Sequence, residues 1–160
     1  MPTGSPYAVP PGRVLNRTHD PYQVFTPYFR TWQERGWPAP LGPPGAVSWI
    51  RPLDNHHLEP GPVPEGLVLP PAGELAAHRR WRDFLQRHLG DYASLRDRAD
   101  LDCTSRMSVH LKWGEIHPRT MLADLSRHPG AGAAAYRTQL AWREFYADVL
   151  WRSPGSARDT

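Results

Sequence analysis

Three hydroxyl side chains stand close together in the chain, just ahead of a stretch with helical periodicity. Thr104, Ser105 and Ser108 lie at the start of a predicted helix that runs from Ser105 to Trp113. The first backbone N–H groups of a helix have no partner within it, and the helix dipole is positive there. Such a terminus binds phosphate groups readily, and Arg106 and Tyr92 would add a cation and a phenol. The same residues are also typical of an ordinary helix N-cap.

A second group of chemically capable side chains recurs at a spacing of three near the end of the chain. Tyr136, Gln139 and Trp142 fall on one side of a predicted helix from Ala133 to Trp151. An aromatic face beside an amide can stack on a nucleobase-like ring and hydrogen-bond its polar edge. Core packing of Trp142 and a structural Arg143–Glu144 pair are the alternatives that the pattern leaves open.

The elements that position these residues divide the chain near Pro71, because sixteen of the 19 prolines fall at or before it. Residues 1–24 are predicted to be strand and turn, and residues 37–71 a long surface connection. The part after residue 71 is predicted to be all-α. The predicted helices are Val24 to Arg35, Gly73 to Leu89, Ser105 to Trp113, one opening at His117-Pro118, and Ala133 to Trp151.

Apolar spacing predicts the inner face of each helix. The first would bury Val24, Phe25, Tyr28, Phe29 and Trp32; the second Leu75, His78, Trp81 or Arg82, Leu85 and Leu89; the last Tyr136, Leu140, Val149 and either Phe145 or Arg143. We also expect Trp81, Trp113 and Trp151 to be core residues.

Composition limits the class of protein. The 160 residues are 39% hydrophobic with a formal net charge of +3, which suits one globular domain and gives only a hint of an anionic partner. Cys103 is the single cysteine, so we expect a reduced, cytoplasmic, soluble protein with no membrane segment. The histidines His56, His57, His110 and His117 lack a metal-ligand spacing, and no metal site is predicted.

Tyr92 with the segment from Thr104 to Arg119 resembles the flavin-phosphate segment of the DNA photolyases and cryptochromes. The stretch from Gln139 to Tyr146 resembles the lesion-facing helix of that family. Thr3 to Val9 and Pro21 to Arg30 resemble the end of the family's antenna domain and the start of its interdomain connection. The resemblance extends from Thr3 to the last residue.

The resemblance implies a mainly α fold, the first half of the all-helical photolyase FAD-binding domain, preceded by a Pro-rich extended connection. Residues 1–24 would end the α/β antenna domain, residues 25–71 would form the interdomain connection with one helix, and residues 72–160 would begin the FAD-binding domain. We therefore expect the chain to be a fragment that is inactive by itself and belongs to a protein that is monomeric when complete.

The resemblance also assigns site residues. Those expected to bind FAD are Tyr92, Thr104, Ser105, Arg106, Met107, Ser108, Tyr136 and Arg143, and those expected to contact DNA or a flipped-out pyrimidine dimer are Arg96, Gln139, Trp142, Arg143 and Tyr146. None of them is expected to be catalytic in itself.

The function implied is light-driven repair of cyclobutane pyrimidine dimers in DNA by electron transfer from reduced FAD, with a folate or deazaflavin antenna chromophore in the complete protein. Gln139 stands where the family usually has a carboxylic acid, and glutamine cannot share a proton with the lesion. A cryptochrome-like blue-light photosensor is therefore the first alternative. A small flavin-free nucleic-acid-binding helical module is the second.

Overall fold

Six α-helices and one 3-10 turn make up the regular structure of the described part of the chain. The computed structural model describes residues 4–48 and 61–158. The helices are α1 (Phe25–Arg35), α2 (Glu74–Arg87), α3 (Tyr92–Leu95), α4 (Ser108–Trp113), α5 (Pro118–Leu125) and α6 (Ala131–Arg152), followed by a 3-10 turn at Pro154–Ala157. Within these two ranges no strand forms, and Leu15 and Pro21 make an isolated antiparallel bridge. The predicted mainly α fold is confirmed.

Helix α1 forms close to where its apolar spacing predicts it. It ends because Gly36 adopts φ 64°, and the Gly36 N–H donates to the carbonyl of Trp32 at 3.2 Å. Tyr28 and Trp32 are buried. Val24 is 61% exposed, since it is the extended residue that precedes the helix, so its assignment to the inner face was wrong.

Helix α2 buries only part of the face predicted for it: Trp81 and Leu89 are buried and Leu85 is half-buried against the core. Ala77, Trp81 and Phe84 are buried, whereas Leu75 is 62% exposed and Arg82 is exposed. The pattern is ambiguous because two candidate stripes share Trp81. Burial of Phe84 decides between them, as a large aromatic gains more from leaving water than Leu75 does.

The segment around α4 starts and stops on special backbone conformations. Arg106 has φ 50°, which is incompatible with a helix, so α4 begins at Ser108 and not at Ser105 as predicted. Gly114 ends it at φ 72°. Pro118 opens α5 as predicted, and Nδ1 of His117 caps it by accepting the N–H of Arg119 at 3.1 Å.

Helix α6 is the centre of the fold and packs against α1, α3 and α5. Its inner side buries Tyr136, Leu140 and Phe145, in agreement with the prediction. Trp151 near its end is 64% exposed and Trp113 is 70% exposed, so the expectation that both are core residues was wrong. Only Trp81 of the three is buried.

The residues ahead of α1 form turns and an extended run without strand pairing. Asn16 closes the predicted turn, because its Oδ1 accepts the N–H groups of Thr18 and Asp20 at 2.9 and 2.8 Å. The predicted strand is absent in this region. Side chains of α5 and α6 bind the backbone instead, along what we call the N-terminal segment, residues 5–12.

Two acidic side chains of α6 hold the N-terminal segment. Glu144 accepts the N–H groups of Ala8 and Val9, the latter at 3.0 Å, and also the indole N–H of Trp32 at 2.7 Å. Asp148 accepts the N–H of Gly12 at 2.5 Å. Burial raises the pKa of Glu144, although these donors act in the opposite direction. The segment is thus joined to α6 by carboxyl side chains that are themselves buried.

No helix in the described part of the chain has the length and apolar character needed to cross a bilayer.

Candidate functional site

A cavity of about 480 Å³ lies between the turn ahead of α4, the start of α3 and the middle of α6. This volume falls within the range typical of small-molecule sites. The residues that line it are Tyr92, Ser105, Arg106, Met107, Ser108, Leu111, Tyr136, Gln139, Leu140 and Arg143. The structure thus brings together every residue predicted to hold the cofactor except Thr104, and adds Gln139 from the lesion-facing set.

A buried hydrogen bond joins the two main walls of the cavity. The hydroxyl of Ser105 lies 2.7 Å from the phenol oxygen of Tyr136, and the carbonyl of Ser105 accepts from Nε of Arg80 at 2.8 Å. Burial raises the pKa of Tyr136, so its phenol is neutral and can donate or accept. The turn is therefore fixed to both α2 and α6.

Aromatic packing supports the same walls from behind. The rings of Tyr92 and Tyr136 lie 5.1 Å apart, and Phe84 of α2 meets them at 5.4 and 5.1 Å. Such tilted and edge contacts are favourable beyond the area that they bury. The phenol groups thus sit on a rigid base.

The charge of the cavity lining is positive. Arg106 and Arg143 both reach it, and the lining contains no aspartate or glutamate. Arg106 also contacts Asp102 at 2.9 Å, but both side chains are more than 60% exposed, so the pair is weak and screened. Two cations with several hydroxyls are a donor set that suits a phosphate or pyrophosphate.

Arg143 is held from outside the cavity by the N-terminal segment. Its Nη1 donates to the carbonyl of Pro6 at 3.1 Å, and its guanidinium lies 4.7 Å from the ring centre of Tyr7. The side chain is half-buried. Neither partner was predicted from the sequence.

Trp142 lies outside the residues that line the cavity. Its indole stacks on Phe25 of α1 with ring centres 3.6 Å apart and planes 9° apart. Tyr146, which is 62% exposed, stacks on it from farther away, at 5.4 Å and 24°. The predicted lesion-facing residues are therefore divided, with Gln139 at the cavity and Trp142 in an aromatic stack between α1 and α6.

Thr104 and Arg96 also lie away from this cavity. Thr104 faces two other hollows, which it shares with Arg80. Arg96 follows α3 and contacts Asp97 at 3.5 Å, where it is partly exposed. Both assignments stay predictions, and neither side chain joins the residues gathered around Tyr136.

Glu144 is the residue next to the site that sequence reasoning did not resolve. The sequence suggests only Arg143 as its partner, whereas its carboxylate bonds Trp32 and the N-terminal segment. A signal was present, since Glu144 and Asp148 occur one helical turn apart beside the apolar residues Leu140 and Phe145. Acidic residues on an inner helix face indicate a buried polar partner.

Among residues 4–48 and 61–158, no group of three or more His, Cys, Asp or Glu side chains is placed to hold a metal ion. His56 and His57 lie outside the described residues. His110 contacts Glu115 at 2.5 Å, and His117 accepts from Arg119 and contacts the carbonyl of Ser5, so both rings have structural partners.

Comparison with known proteins gives consistent relatives. The chain is 35% identical over 156 residues to a deoxyribodipyrimidine photo-lyase of Thermus thermophilus, covering 96% of this chain and 34% of the relative. It is 36% identical to the Halobacterium salinarum enzyme of that name, over 88% of this chain and 33% of the relative. It is 31% identical to the Escherichia coli enzyme of that name, over 91% of this chain and 33% of the relative.

A solved structure agrees with these sequence matches. A bacterial class III photolyase from Agrobacterium tumefaciens superposes with a TM-score of 0.75 at 25% identity, covering 97% of this chain and 35% of that protein. No family model matches the chain. The chain spans about one third of the length of the curated relatives it matches.

Proposed function

We propose that this chain forms part of the flavin-binding half of a DNA photolyase, because it matches about one third of the length of several such enzymes. The complete protein would repair cyclobutane pyrimidine dimers in DNA in a light-driven reaction. The observation that carries this proposal is the cavity, in which hydroxyls and two guanidinium groups converge without a carboxylate. That donor set fits the diphosphate of FAD.

Each cavity residue has a distinct role in this proposal. Ser105, Ser108 and Arg106 bind the phosphates, Tyr92 and Tyr136 supply phenols on a rigid base, and Arg143 lines the flavin side. Met107 contributes apolar surface. Tyr136 stays neutral because burial raises its pKa, so it serves as a hydrogen-bond partner and not as a charge.

When bound in its reduced form, FAD supplies the electron that splits the dimer. The protein's part is to hold the cofactor, orient it toward the lesion and exclude water. Gln139 lines the cavity and is proposed to hydrogen-bond a base of the lesion there. Arg96, Trp142 and Tyr146 are proposed to contact DNA, with Tyr146 offering the exposed aromatic ring.

Cofactor binding is tested by titrating the purified 160-residue chain with FAD and following quenching of flavin fluorescence. Arg106→Gln removes a cation from the cavity and is expected to weaken binding about tenfold, in line with a charge-assisted hydrogen bond. Arg87→Gln is the matched control, because Arg87 also pairs with an aspartate four residues earlier on an exposed surface. Equal affinities of the two variants would contradict the assignment.

Repair is tested by a chimera in which this chain replaces the matching third of the Thermus thermophilus photolyase. We expect the chimera to bind FAD and to split dimers in DNA under blue light. A chimera that binds FAD and folds, but restores no pyrimidines, would contradict repair.

A light-sensing function is the second candidate, and Gln139 is the observation that favours it. If Gln139 limits repair because it cannot share a proton, Gln139→Glu in the same chimera should raise the rate of dimer splitting. The rate of flavin photoreduction is the control, since the substitution targets the lesion. An unchanged splitting rate would remove the argument from this residue.

A further inference from the structure

We infer that Tyr7 is a positioning residue, which holds the guanidinium of Arg143 in place at the rim of the cavity. The inference rests on the proposed function for its consequence, because Arg143 is there assigned to the flavin side. Its physical basis is independent of any ligand. Tyr7 lies in the N-terminal segment, 136 positions before Arg143 in the chain, and does not itself line the cavity.

Two contacts hold the Arg143 guanidinium, and neither comes from a residue that lines the cavity. The ring of Tyr7 lies 4.7 Å from the guanidinium carbon, within the range of a cation–π interaction. The carbonyl of Pro6 accepts from Nη1 at 3.1 Å. A guanidinium is planar and presents its donors in a fixed fork, so a ring and a carbonyl together determine how it is oriented.

The N-terminal segment can act as a fixed support because other side chains bind its backbone. His117 contacts the carbonyl of Ser5 at 2.8 Å, and Arg119 donates to the carbonyl of Ala8 at 3.0 and 3.1 Å. Glu144 of α6 accepts the N–H groups of Ala8 and Val9. These contacts lie on both sides of Tyr7, so its backbone stays in place when its side chain is changed.

The consequence for the site is that Arg143 is ordered before a ligand arrives. An arginine that is free to rotate loses several rotamers when it binds an anion, whereas a guanidinium already held by Tyr7 loses fewer. Removing the ring of Tyr7 should therefore weaken the binding of an anionic ligand without changing the charge of the cavity. It should also make Arg143 more accessible to reagents.

The test measures the reactivity of Arg143 with phenylglyoxal, read by peptide mass spectrometry on the full chain. Tyr7→Leu removes the π face, and we expect Arg143 to react about two- to fivefold faster, which corresponds to a cation–π contact at a partly exposed site. Tyr7→Phe keeps the ring and should react as the original chain does. Arg127, which is exposed and does not line the cavity, serves as the internal standard.

An unchanged rate in Tyr7→Leu overturns the inference, and so does an equal increase in Tyr7→Phe. Tyr7→Met is the second aliphatic variant, used if circular dichroism shows that Tyr7→Leu has lost helix. FAD affinity is measured on the same proteins and should fall in Tyr7→Leu but not in Tyr7→Phe. If the original chain binds no FAD, the proposed function fails, while the labelling rates still decide whether Tyr7 holds Arg143.

Discussion

At the scale of single residues, Glu144 shows how a buried carboxylate can be used in structure. Its two oxygens receive two backbone N–H groups and one indole N–H, from three residues far away in the chain. It is 2% exposed. Burial disfavours its charge and the donors favour it, and burial is the larger effect on its pKa.

This balance predicts how Glu144 changes stability with pH. Because the folded-state pKa is raised above the ordinary value of 4.5, the folded protein keeps the proton at pH values where the unfolded chain has lost it. The contribution of Glu144 to the stability of the fold is therefore largest below pH 4.5, and it is lost as pH rises through the folded-state pKa. Glu144→Gln lacks this titration.

We expect the free energy of unfolding of the original chain to fall, relative to that of Glu144→Gln, as pH rises. Urea unfolding of both proteins from pH 4 to 7 measures it. Glu34→Gln, on the exposed side of α1, is the control for loss of a carboxylate that makes none of these buried contacts. If the Glu144 difference moves in favour of the original chain with rising pH, the hydrogen bonds outweigh burial.

At the scale of elements, α6 passes close to the backbone that links α2 to α3. A Cβ atom placed on Gly132 would lie 1.7 Å from the carbonyl oxygen of Leu89. The N–H of Tyr92, which begins α3, donates to the same oxygen at 3.3 Å. Gly132 thus lets α6 pass the backbone that leads into the cavity wall at Tyr92.

Gly132→Ala is accordingly expected to destabilise the fold by about 1–3 kcal/mol, as overpacking does. An alanine inside a helix would otherwise stabilise it by about 1 kcal/mol, so the sign of the change is the test. Gly90→Ala in the neighbouring turn is the control for adding a methyl group without a clash, because nothing lies within 4 Å of its added Cβ. Thermal unfolding of both variants measures the effect, and a stabilised Gly132→Ala would show that α6 does not pass so closely.

The elements also show what the sequence could predict. The start of α5 follows from Pro118, and the ends of α1 and α4 follow from Gly36 and Gly114, because these are local backbone rules. The inner face of α2 and the start of α4 could not be predicted in the same way. They depend on the burial of Phe84 and on the left-handed turn at Arg106, which tertiary packing decides.

The candidate site divides along the same line. The hydroxyls before α4 and the cation Arg106 are visible as a pattern, as is the spacing of Tyr136 and Gln139 on α6. The stack of Phe25 on Trp142 and the contact of Tyr7 with Arg143 join residues more than a hundred positions apart. No local pattern in the sequence encodes such pairs.

At the scale of the whole molecule, the two parts of the chain on either side of the Pro-rich connection share one core. Trp32 and the N-terminal segment pack on α6, while residues 61–72 are exposed. A break after Glu65 would interrupt only the turn in which the N–H of Leu67 donates to the carbonyl of Pro64 at 3.2 Å.

We therefore expect residues 1–65 and 66–160, expressed together as separate chains, to associate. A tag on the second chain should recover both in equal amounts. Glu144→Ala in the tagged chain should abolish recovery, because it leaves three buried donors without an acceptor, at about 1–3 kcal/mol each. Asp83→Ala on the exposed side of α2 is the control and should leave recovery intact. Separation of the unaltered pair would contradict a shared core.

The grip of Glu144 on Ala8 and Val9 has a consequence for synthesis on the ribosome. At about 5–20 residues per second, the amide groups near the beginning of the chain wait on the order of ten seconds before their acceptor is translated. Trp32 of α1 and the N-terminal segment have no Glu144 to bind during that interval. A chaperone that shields early apolar surface should therefore raise the yield of this chain more than one that acts after release.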